Sequence, residues 1–272
     1  MLAALYGLVG AVIGSFLNVV IDRVPAKQSL VKPSSHCPNC GTELRARDMI
    51  PVFSYLFLRG RCRVCGAEIP RRVLWVEVAS ALLFAFLFWF YGPSWRLLLG
   101  TVYTCVLLVV LVIDLEHKLI LDVIILPAIG FGLLAIPLGA LFSPRFAYYG
   151  LREVLGARAH WSLSLIQMSM LSQVLGSAVA FLIFLVIWFI SPQGMGDGDI
   201  RLAAFSGLIT AFPGALAAVF GSFILGGVVS VILLLSGRVT RKTAIPFAPF
   251  LVVTTFVVYL FGDTLLHGYL GF

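Results

Sequence analysis

The chain has 272 residues, 61% of them hydrophobic and 11% charged, with 19 Lys and Arg against 12 Asp and Glu for a net charge of +7. Soluble domains run at about 45–50% apolar and about 25% charged, so this composition excludes a water-soluble enzyme with one core, a disordered chain and a secreted disulfide scaffold. The basic balance reads as the loading of Lys and Arg onto one side of a membrane, and no nucleic-acid partner is expected.

The first twenty residues are apolar and uncharged, and Asp22 and Arg23 follow them. A cleaved signal peptide carries its basic region ahead of the apolar stretch, so a retained first transmembrane helix over 1–21 is expected, with its N-terminus outside. Gly10 and Gly14 have the GxxxG spacing that lets helices approach closely; an incidental glycine pair is the alternative. Residues 22–73 form one long polar stretch, read as a soluble insert. Seven apolar segments follow within 74–272, at about 74–91, 95–113, 120–141, 171–190, 200–212, 214–236 and 245–262. The expected fold is an all-α polytopic membrane protein of about eight transmembrane helices, surrounded by membrane lipid. Segment 200–212 is short for a span and reads as a half-helix packed inside the bundle. Trp75, Trp89, Tyr91, Trp95 and Tyr103 read as interfacial anchors.

The loops at 22–73, 114–119, 191–201 and 237–244 hold 15 of the 19 Lys and Arg. Placing them in the cytoplasm satisfies the positive-inside rule and leaves the stretch at 142–170 outside. That stretch contains Arg145, Arg152, Glu153, Arg158 and His160, and its composition suggests no chemistry.

Four of the five cysteines form Cys37-Pro38-Asn39-Cys40 and Cys62-Arg63-Val64-Cys65, with 21 residues between the pairs. Two CxxC knuckles at such a separation predict a zinc ion held by Cys37, Cys40, Cys62 and Cys65. Gly41 and Gly66 follow the knuckles, where a sharp turn needs glycine. Reduced dithiols or redox pairs are the alternative, and His36 is a rival ligand. An insert of this size has little core of its own, which makes a metal staple useful. Cys105, inside an apolar segment, reads as a small hydrophobe.

Acids near the bilayer are costly and mark function by default. Asp114 and Glu116 end the third segment, Asp122 opens the fourth, and Asp197 and Asp199 lie in a glycine-rich stretch from Gly194 to Ile200. Two converging carboxylates can share a proton, one activating water while the other hydrogen-bonds the scissile carbonyl. Glycines around Asp197 and Asp199 would let a substrate backbone approach. The same acids could bind a cation in a transporter, or simply pair, Asp114 with Lys118 and Asp199 with Arg201. The sequence has no HExxH, GxSxG or P-loop signature.

Taken together, the motifs resemble the bacterial type IV prepilin leader peptidase and N-methyltransferase family of intramembrane aspartic proteases. The resemblance runs through Gly14 to Val20 with Arg23-Val24-Pro25, both cysteine knuckles, Ile50-Pro51, Ser54-Tyr55, Leu58-Arg59-Gly60 and Val76-Glu77. It continues through Ile113-Asp114-Leu115-Glu116, Leu121-Asp122, the Gly194–Asp199 stretch with Arg201-Leu202, and Ile245 to Phe250. It implies an enzyme of the bacterial inner membrane that removes basic leaders from prepilins and pseudopilins, serving type IV pili or type II secretion, at the cytoplasmic face. It also implies methylation of the new N-terminal residue with S-adenosylmethionine. The catalytic aspartates map onto Asp114 and Asp199, with Asp197 heading a competing motif match and Asp122 the weaker candidate beside Asp114. Arg201 stands where the family often has Lys. Met49 stands where Asn is expected, a departure that bears on the methyltransferase half.

Overall fold

The computed structural model describes residues 1–142, 165–191, 195–237, 239–240 and 245–270. The five residues singled out in the 142–170 stretch, and Gly194, lie outside them. Among the described residues the regular elements are all helices, and the insert adds two isolated β-bridges within turns and irregular chain. Its α-helices are α1 (Leu2–Arg23), α2 (Phe53–Phe57), α3 (Arg71–Tyr91), α4 (Trp95–His117), α5 (Asp122–Phe142), α6 (Leu165–Ile190), α7 (Asp197–Thr210), α8 (Gly214–Leu235) and α9 (Ala248–Leu270).

Among the described residues, five helices (α1, α3, α4, α6 and α8) are long and apolar enough to cross a membrane. The apolar parts of α5 and α9 that can be described are shorter, Asp122–Pro137 and Ala248–Gly262. Helix α7 has 14 residues and reaches only about 21 Å, well short of a hydrocarbon core of about 30 Å. Several boundaries differ from the apolar runs. Helix α4 continues past residue 113 to His117, α6 starts at Leu165, and α7 starts at Asp197. Tyr103 is not an interfacial anchor: it is 7% exposed in the interior of α4, whereas Trp75, Trp89 and Trp95 are exposed.

The chain forms two compact units, Met1–Val109 and Val110–Phe272. In the first, α1 and α3 pack along a glycine seam. A Cβ at Gly10 would lie 2.6 Å from the Ser80 carbonyl oxygen, and one at Gly14 would lie 2.8 Å from Ser80 Oγ. The GxxxG pair is therefore the α1–α3 contact itself. Tyr6 stacks on Phe84 and its hydroxyl lies 2.8 Å from that of Thr101 on α4. Asn18 donates to the Val73 carbonyl at 3.0 Å, where α3 leaves the insert.

In the second unit the short helix α7 is the centre, with α5, α6, α8 and α9 packed around it. Ile200, Leu202, Ala203, Phe205 and Leu208 are all buried, as expected of a helix enclosed on every side rather than on one stripe. The α6–α7 contact is nearly backbone on backbone: a Cβ at Gly207 would lie 2.2 Å from the Gly176 carbonyl oxygen. Hydroxyls complete the packing. Ser177 donates to the Ala204 carbonyl at 2.9 Å, and Ser206 and Thr255 share a hydrogen bond of 2.5 Å. Such groups must find partners inside the protein when no water is at hand.

Candidate functional site

Asp114 lies on the last turn of α4. The helix ends just beyond it, where the Lys118 N–H returns to the Asp114 carbonyl at 2.9 Å and Lys118 takes φ +53°. The Asp114 side chain is 5% exposed, and its Oδ2 is buried with no hydrogen-bond partner among the described residues. The carboxyl receives the backbone N–H of Ala248 and feels the charge of Lys118. Ala248 is the first residue of α9. N–H groups at a helix start have no partner within the helix and carry its positive end. The Ile245–Phe250 motif thus aims a helix N-terminus at Asp114. Pro249, favoured in a first helical turn, was the only sequence sign of that placement, and Ala248 itself gave none.

Asp199 lies in the first turn of α7. Its Oδ2 accepts the N–H of Gly196 at 3.2 Å, closing the start of the helix. The charge of Asp114 acts on the Asp199 carboxyl, and that of Asp197 acts on it less. The end of α4 and the start of α7 therefore bring Asp114 and Asp199 within electrostatic reach of each other.

The other acids face elsewhere. Arg201 pairs with Asp197 at 3.1 Å and with Asp122, so one guanidinium joins the starts of α5 and α7. Asp197 is 73% exposed at its side chain. The Arg201 partner expected at Asp199 is thus found at Asp197 and Asp122. Gly198 is not an opening for a substrate backbone: a Cβ there would lie 2.7 Å from Cβ of Ile120. Its small size lets the first turn of α7 sit against the α4–α5 connection, between the two carboxylates in sequence.

In the insert the two knuckles repeat one geometry. The Cys37 N–H donates to Thr42 and the Gly41 N–H returns to Cys37, both at 2.9 Å. The Cys62 N–H donates to Ala67 at 2.7 Å and the Gly66 N–H returns to Cys62 at 3.0 Å. Gly41 and Gly66 have φ +67° and +72°, a conformation glycine adopts without cost. The four Sγ atoms of Cys37, Cys40, Cys62 and Cys65 lie within 4.8 Å of one another, with Cys37–Cys65 at 3.8 Å and Cys40–Cys62 at 4.0 Å. A tetrahedral ion with bonds of about 2.3 Å to sulfur requires separations of about 3.8 Å, so four thiolates here fit one metal ion. The Thr42 hydroxyl and N–H bring the Cys40 thiol down to about 6, which favours the ligating form. His36 is not part of the cluster; its Nδ1 lies 2.9 Å from the Ser34 carbonyl.

The family described as Bacterial Peptidase A24 N-terminal domain matches residues 8–91, and the Type IV leader peptidase family matches residues 101–231. The Prepilin leader peptidase/N-methyltransferase of Pseudomonas aeruginosa is 32% identical, over 97% of this chain and 92% of its own length. The protein of the same name from Bacillus subtilis is 30% identical over 96% of this chain and 95% of its own. The chain belongs to the type IV leader peptidase family. The family's N-terminal match covers both cysteine knuckles, and its peptidase match covers Asp114 and Asp199. The relative from Neisseria gonorrhoeae, under the same name, is 30% identical over 96% of this chain and 91% of its own. No solved structure matches.

Proposed function

We propose that this family member is a prepilin leader peptidase and N-methyltransferase whose proteolytic centre is the pair Asp114 and Asp199. One observation carries the reading: a buried Asp114 oxygen without a partner, within electrostatic reach of Asp199. Two such carboxyls hold one proton between them. The ionised member activates a water, and the protonated member hydrogen-bonds the scissile carbonyl as charge develops on it. The Ala248 N–H and the Gly196 N–H fix the two carboxyls at two helix starts. The clients are prepilins and pseudopilins with basic leaders, cut at the cytoplasmic face of a bacterial inner membrane, where most of the Lys and Arg lie. In this reading α5, α7 and α9 join the five long apolar helices to make an eight-segment bundle.

The ion that suits four thiolates in a small domain is zinc, held by Cys37, Cys40, Cys62 and Cys65 as a structural staple. S-Adenosylmethionine would supply the methyl group for the new N-terminus. Among the described residues no cradle for it is recognisable, so that half of the activity rests on the family.

The test is leader cleavage of a prepilin in detergent by wild type and by Asp114→Asn, Asp199→Asn and Asp197→Asn, each checked for folding. Loss of cleavage in the first two alone supports the pair. Wild-type rates in well-folded Asp114→Asn and Asp199→Asn proteins would refute it and favour a cation site built from the same acids. Transfer of a labelled methyl group from S-adenosylmethionine to the cut product tests the second activity.

A further inference from the structure

The insert carries an apolar face that neither the proteolytic pair nor the metal cluster uses. Helix α2 is short and two-sided. Its Tyr55 turns inward, donating to the Ile69 carbonyl at 3.3 Å. Phe53, Leu56 and Phe57 turn outward and are 67%, 58% and 91% exposed. Three large apolar side chains on one turn are costly to leave in water.

The depth of this turn is fixed by a hydrogen bond. The Val52 N–H, immediately before α2, donates to Glu77 Oε2 at 2.7 Å. Val52 takes φ +64°, a conformation uncommon for a β-branched residue, and the bond to Glu77 holds it there. Glu77 is buried on α3, six residues beyond the helix start at Arg71. At 1.5 Å per residue that is about 9 Å along the axis. Helix α3 is long and apolar enough to cross a membrane, and its 21 residues match the hydrocarbon thickness with little to spare. A turn pinned to Glu77 is therefore held about 9 Å inside the end of that span, within the depth of about 5–10 Å at which interfacial apolar faces sit. Trp75, exposed on α3 at the same level, is the residue type that prefers this layer.

Charge agrees with position. Residues 22–73 carry ten Lys and Arg against four Asp and Glu. Arg59 and Arg61, just after α2, are exposed, where guanidinium groups meet anionic lipid phosphates.

We propose that α2 is an interfacial anchor: Phe53, Leu56 and Phe57 enter the leaflet at which α1 ends and α3 begins, and the neighbouring arginines bind anionic headgroups, so that the insert rests on the bilayer. The test places the photoreactive residue p-benzoylphenylalanine at position 57 of the full chain, an aromatic-for-aromatic change, and at exposed Glu68 as a control. The proteins are reconstituted in nanodiscs of equal phosphatidylglycerol and phosphatidylcholine, irradiated and analysed by mass spectrometry. Lipid adducts at position 57, at least fivefold above position 68 and at least twofold enriched in phosphatidylglycerol, are expected. Equal lipid labelling at the two positions overturns the anchor, as does cross-linking of position 57 to a second copy of the chain. Labelling at 57 without headgroup preference overturns the role of the arginines.

Discussion

Asp197 and Asp199, two residues apart on the first turn of α7, answer to different partners. Asp197 reaches out to Arg201 at 3.1 Å, while Asp199 turns back to the Gly196 N–H and lies within the field of Asp114. About half a turn of helix separates a solvated ion pair from a half-buried acid. Asp199→Asn should lower leader cleavage by at least about 100-fold, the scale of a lost acid–base group. Asp197→Asn should stay within a few-fold of wild type, since exposed ion pairs contribute little. Initial rates on one prepilin substrate distinguish the two.

Two glycines hold α7 in place by their lack of a side chain. Gly198→Ala would press a methyl group against Ile120 at 2.7 Å, and Gly207→Ala would press one against the Gly176 carbonyl at 2.2 Å. Overpacking of this kind costs about 1–3 kcal/mol where neighbours can yield. The neighbour at Gly207 is backbone and has less room to do so. Both variants should lose thermal stability, Gly207→Ala more than Gly198→Ala. A Gly207→Ala protein that melts with the wild type would show that α6 and α7 separate easily.

Metal removal should act on the insert first. Cys40→Ser or Cys62→Ser takes away one of four ligands and should abolish stoichiometric zinc, read by elemental analysis of the purified protein. Loss of a structural metal removes a large part of a small domain's folding energy, about 10 kcal/mol or more in isolated zinc peptides. Trypsin should then cut between Arg45 and Arg63 much faster than in wild type. An undiminished zinc content in both variants would exclude the four-thiolate site.

Five long apolar helices were legible because composition alone marks them, and the four-cysteine cluster because CxxC spacing fixes where sulfurs point. Helix starts were less so. The run at 200–212 begins after the acids, yet α7 begins at Asp197, because acidic residues are favoured in a first helical turn and continue the helix backward from the apolar stretch. Tyr103 looked like an anchor, but the end of an apolar window does not say which face of α4 is covered. The role of Gly198 was hidden for a similar reason. Its neighbour Ile120 lies on another element, and local pattern does not report close approach between elements. The hydrogen bond from Val52 to Glu77 joins residues 25 apart in sequence, and neither residue type advertises it.

Each cysteine knuckle supplies two sulfurs, and each is therefore half of a coordination shell. A chain made from its N-terminus offers only Cys37 and Cys40 until Cys62 and Cys65 have emerged. An ion needing all four could be captured only once α1 and the whole insert have been made. The earliest moment for metal loading would then fall between the insertion of the first helix and that of its glycine-seam partner. Scarcity of the metal during synthesis would be felt there, as an α1–α3 hairpin closing around an unfolded insert.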